Sequence, residues 1–62
     1  MNRGVWVLSK SGRWYKPNFQ DDLREVTRVV THSDNAFMPC KDVMGRDSYI
    51  NTNDVECVTD FK

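Results

Sequence analysis

One histidine, two cysteines, two prolines and three glycines leave this 62-residue chain poor in the residue types that most often build reactive sites. The single imidazole, His32, stands in the turn-forming run His32-Ser33-Asp34-Asn35 and should be solvated. Nucleophilic catalysis needs a nucleophile beside a base and a third group that orients the base. A Cys–His pair drawn from Cys40 or Cys57 with His32 is conceivable, but a turn histidine and two core thiols are the simpler reading. Zinc sites carry ligands paired at short spacing, and no C-x-x-C or H-x-x-x-H occurs. Asp42, Asp47 and Asp54 flank turns without the dense spacing of a calcium loop. The glycines stand alone at positions 4, 12 and 45, so no phosphate cradle is written into the chain. A chain this small also has little volume for a catalytic cleft between two carboxylates. An enzyme is the least supported class, and neither metal nor cofactor is expected.

Long apolar runs are missing too. The longest, Val5-Trp6-Val7-Leu8, can neither span a bilayer nor form the core of a secretory signal. The expectation is a cytoplasmic protein with no membrane partner, in which Cys40 and Cys57 are reduced and buried, with a single bridge as the alternative. Net charge is zero but unevenly laid out: residues 1–16 hold four bases and no acid, and the remainder nine acids against five bases, so +4 is followed by −4. Such a split can create one positive and one negative patch.

With 39% hydrophobic and 29% charged residues the composition is that of a folded domain. Its size limits residues 1–62 to one small β domain that buries only about 60% of its unfolded surface, so every large apolar side chain should be committed to the core. Val5–Leu8, the separator Ser11-Gly12 and Arg13–Lys16 predict a hairpin. Strand pairing should end near Pro17, which lacks an N–H.

Residues 18–31 carry two conflicting signals. Phe19, Leu23, Val26 and Val30 recur at helical spacing, Asn18 suits an N-cap, and Asp21 and Asp22 suit a first turn. Val26-Thr27-Arg28-Val29-Val30-Thr31 is dense in β-branched residues, which favours a strand from about Glu25, preceded by a loop or a short helix near residues 19–24. That strand would form a second hairpin with Ala36–Cys40. Gly45 marks another turn, Ser48–Asn51 a strand, Thr52-Asn53-Asp54 an interruption and Val55–Val58 a last strand. The pattern predicts a mainly β fold, a small five-stranded barrel or curled antiparallel sheet.

Tyr49-Ile50-Asn51-Thr52-Asn53-Asp54-Val55, after Gly45, resembles the Tyr-Ile-Pro-Ser-Asn-Tyr-Val segment near the end of SH3 domains. The resemblance implies a strand, one turn of 3₁₀ helix and a closing strand, and hence an SH3-like barrel. Asn51 and Asp54 replace the proline and second tyrosine that help to line the family's groove for proline-rich peptides, and its acidic loop is missing. The implication therefore covers shape and not peptide specificity.

Lys10, Arg13, Trp14, Tyr15 and Lys16 are the candidate binding residues, because only there do bases and aromatics interleave without acids. Small barrels stack bases of single strands on aromatics while cations follow the phosphates, yet zero net charge is a weak footprint for a nucleic-acid binder. Trp, Tyr and Arg also dominate protein interfaces. The leading expectation is a protein–protein adaptor or inhibitor, with single-stranded nucleic-acid binding as the alternative. The acids Asp42, Asp47, Asp54 and Glu56 form a rival surface, and an exposed edge strand could join two copies. A compact chain of this kind would suit a phage or mobile-element accessory factor.

Overall fold

A computed structural model describes residues 3–19 and 22–62. Five strands, β1 (Gly4–Ser9), β2 (Trp14–Pro17), β3 (Phe37–Asp42), β4 (Asp47–Asn51) and β5 (Val55–Phe61), form one antiparallel sheet in the order β4-β3-β2-β1-β5. A helix, α1 (Leu23–His32), connects β2 to β3, and a 3₁₀ turn, η1 (Thr52–Asp54), connects β4 to β5. The strand–3₁₀–strand sequence implied by the SH3 resemblance is present at Tyr49–Val55. The sheet is curled rather than closed. Its register slips between Leu8 and Ser9, where Glu56 is left over in β5; an extra residue of this kind adds local bend and twist.

The expected strand from Glu25 and its hairpin with Ala36–Cys40 are not formed. That segment is helical, and β3 instead lies between β2 and β4. The helix also begins later than the one placed near 19–24: Asp22 is the N-cap, accepting the Arg24 N–H at 2.9 Å, rather than Asn18. Gln20 and Asp21 lie outside the described residues. Burial outweighs the β-branched preference. Helical winding gathers Val26, Val29 and Val30 on one side against the core, where each buried valine contributes about 1.5 kcal/mol or more, whereas propensity costs at most about 0.7 kcal/mol per residue. Thr27 and Thr31 donate their hydroxyls to the Leu23 and Thr27 carbonyls at 2.7 and 2.9 Å, which satisfies the hydroxyls within the helix.

The core lies between the concave face of the sheet and α1: Val5, Val7, Val26, Met38, Cys40 and Ile50 are buried, with Tyr15, Val55 and Val58 packed against them. Not every large apolar residue is enclosed. Phe37, Val43, Met44 and Tyr49 are 61–75% exposed, Phe37 and Tyr49 because α1 covers one face only and strands alternate their side chains between faces, Val43 and Met44 because they stand in the turn between β3 and β4. Cys40 is buried but Cys57 is exposed on β5, and neither is bridged, so only one of the two thiols expected inside is there. Among the described residues no helix is long and apolar enough to cross a membrane.

Candidate binding groove between two turns

Two tight turns converge at one end of the sheet. In the first, between β1 and β2, the Ser9 N–H donates to the Arg13 carbonyl at 2.8 Å and the Gly12 N–H to the Ser9 carbonyl at 2.9 Å. Gly12 takes φ +87°, a left-handed conformation open to glycine at little cost. The Ser9 side chain, 1% exposed, accepts the Arg13 N–H at 3.1 Å and shares a 2.8 Å hydrogen bond with the Ser11 hydroxyl. A buried hydroxyl thus sets the backbone from which Arg13 projects. The turn is also anchored to η1, since the Lys10 N–H donates to the Asp54 carbonyl at 2.8 Å.

Asp42 organises the second turn, between β3 and β4. Its carboxylate accepts the N–H groups of Met44 and Arg46 at 2.9 and 3.0 Å and the Arg46 Nε at 2.9 Å. The Arg46 N–H is the main reason that the carboxyl is held below the ordinary aspartate range, with the Arg46 guanidinium and the Met44 N–H adding to it and desolvation opposing. Gly45, at φ +80°, closes the loop.

Tyr15 on β2 is the cross-strand partner of Asp42 on β3, and this pairing brings the turns together. The groove between them, about 480 Å³, is lined by Arg13, Trp14, Tyr15, Asp42, Val43 and Arg46, together with Gly12. Arg13 is exposed and makes no ion pair among the described residues. Arg13 and Arg46 thus line one groove with Asp42, whose carboxylate Arg46 already engages.

Three of the five candidate residues, Arg13, Trp14 and Tyr15, meet in this groove, and Lys10 and Lys16 do not line it. Strand alternation separates even the two aromatics: Tyr15 turns toward the core, while Trp14 shares the outer face of the sheet with its partner Leu8. There its ring meets Phe61 edge to face, with centroids 5.3 Å apart. Lys16 lies on the same outer face, its Nζ 5.7 Å from the centre of the buried Trp6 ring. Val43 and Arg46 were absent from the candidate set. The signal available for them was Asp42 and Arg46 placed four apart around Gly45, a charged pair that can brace a turn.

The rival acidic surface is divided. Asp42 bonds Arg46 and Asp47 pairs with Lys41. A more apolar concavity of about 360 Å³ lies elsewhere, lined by Phe19, Val29, Ala36, Phe37 and Pro39 among others. The described residues contain no group of three or more His, Cys, Asp or Glu side chains able to hold a metal ion. In comparisons with known proteins the chain matches no family model, no curated protein and no solved structure.

Proposed function

We propose that the chain is a non-enzymatic binding module, an adaptor or inhibitor that takes hold of another protein through the groove between its two turns. The observation that carries this reading is that Arg13 and Arg46 line one groove with Tyr15 and Val43, with Asp42 already engaged by Arg46. Such a surface complements an acidic side chain next to an apolar one on a partner, with arginine and aromatic groups as the anchors. Both turns are braced by hydrogen bonds from buried or half-buried side chains, so little ordering cost remains for binding.

Single-stranded nucleic acid fits this geometry less well. Stacking of successive bases requires aromatic faces presented side by side, whereas Trp14 and Tyr15 project from opposite faces of β2 and Trp14 is engaged by Phe61. The cations are dispersed too, with Lys16 over Trp6 rather than beside Arg13.

Affinity capture of the tagged protein from lysate, with and without nuclease, tests the proposal. A specific protein retained after nuclease and lost with Arg13→Glu, at unchanged circular dichroism and melting temperature, is the expected result. Equal capture by the folded variant removes the groove from consideration, and loss of all bound material on nuclease treatment favours the nucleic-acid reading.

A further inference from the structure

Strand β4 lies at one edge of the sheet, with β3 as its principal neighbour, whereas α1 packs against β5 and η1. Its backbone alternates in a way the register resolves. The Thr52 N–H donates to the Ala36 carbonyl at 2.8 Å, and in an antiparallel ladder hydrogen-bonded positions recur every second residue. Thr52, Ile50 and Ser48 thus turn their backbone groups toward β3. Pro39, the partner of Tyr49, has no N–H to give, and its carbonyl accepts from Asn18 on the opposite side. The N–H and C=O groups of Asp47 and Tyr49 and the N–H of Asn51 therefore point outward, along an edge that no other strand among the described residues covers, while the Asn51 carbonyl caps the 3₁₀ turn η1.

Natural edges are commonly guarded by lysine, proline or a bulge. The other edge strand, β5, has its extra residue at Glu56 and contact with α1. Strand β4 has no lysine, proline or bulge, and its one charge, Asp47, is paired with Lys41. Tyr49, at its centre, is 68% exposed.

We propose that β4 is the seam of a symmetric dimer, in which two copies pair antiparallel along Asp47–Asn51 with Tyr49 on the two-fold axis. The strand is self-complementary in this register. Tyr49 exchanges both backbone hydrogen bonds with Tyr49 of the second copy, and Pro39 on each side extends the contact into an apolar stripe across four strands. Asp47 meets Asn51 of the second copy and not another acid. The Asn51 amide spends one N–H on Asn35 and retains the other for that carboxylate. Zero net charge removes the long-range repulsion that keeps many small domains apart. The seam is five residues long, so association belongs to the micromolar-to-millimolar range. It uses no residue of the groove between the turns and does not depend on the reading of that groove.

Sedimentation velocity of the full chain, from low micromolar to low millimolar concentration, tests the seam. The mass should rise from 7.3 kDa toward twice that value. Tyr49→Lys and Tyr49→Asp each place like charges on the axis and should remain monomeric, with unchanged circular dichroism because the native side chain is mostly in solvent. An equimolar mixture of the two variants should dimerise again, since opposite charges then meet. A wild-type chain that stays monomeric throughout, a lysine variant that dimerises like wild type, or a mixture that stays monomeric would each overturn the proposal. So would a monomeric chain that pairs β4 only with a strand of another protein.

Discussion

Asp42 and Arg46 are joined twice across the β3–β4 turn: the Arg46 N–H reaches the carboxylate at 3.0 Å and the Arg46 Nε at 2.9 Å. One aspartate thereby shapes a loop, engages the guanidinium beside it and leaves Arg13 as the groove cation without an ion pair among the described residues. The pair also makes the turn sensitive to acid.

Because these donors hold the Asp42 carboxyl below its ordinary value, its contribution to stability is complete above the unfolded value of about 4. That contribution is lost as pH falls through the lower folded value. Urea denaturation of wild type and Asp42→Asn should accordingly show a stability difference at pH 7 that shrinks on acidification. A difference independent of pH would mean that the carboxylate charge contributes nothing to the turn.

Ser9 is the hidden support of the candidate groove. Ser9→Ala leaves the Arg13 N–H without its side-chain partner and should cost about 1–3 kcal/mol in chemical denaturation. It should weaken partner capture as well, although Ser9 is 1% exposed and cannot touch a partner. Capture unchanged at reduced stability would show that the position of Arg13 does not depend on this hydroxyl.

The two thiols should differ sharply. Burial pushes the Cys40 thiol up, with Asp42 adding to the shift and the Ile50 N–H opposing it, while Cys57 is exposed on β5. Thiolate is the reactive form, so a thiol reagent should label Cys57 in the native protein and Cys40 only on unfolding. Mass spectrometry after brief labelling checks this; equal rates at both sites would contradict the burial of Cys40.

Replacing the cap tests the helix directly. Asp22→Ala removes the acceptor of the Arg24 N–H and should cost about 1 kcal/mol. Val26→Ala, at a fully buried position, should cost about 2 kcal/mol through lost burial and the cavity left behind. A segment folded as the strand first expected would be nearly indifferent to the cap substitution, and thermal melts separate the two.

Local chemistry made several elements legible in the amino-acid order. The β-branched and aromatic run Val5–Leu8, the glycines at both turns and the side-chain-rich Thr52–Asp54 each act within a few residues, and each element formed where it was expected. Arg13, Trp14 and Tyr15 stood out for the same reason. Residues 23–32 did not resolve, because β-branched propensity and helical periodicity point in opposite directions there. Only a sheet with a concave face to be covered decides which one yields.

Composition and spacing by themselves determined a small β-rich chain with short strands and singly placed turns. Tertiary structure alone decided that 23–32 is helical, that Cys57 is outside, and that Val43 and Arg46 stand opposite Arg13. It also decided that Trp14 and Tyr15 do not act side by side. These facts depend on which strands become neighbours, and pairing joins Tyr15 to Asp42 across 27 positions of chain. The energy that selects such a pairing is burial of a shared apolar face, which belongs to the assembled sheet and to no single segment.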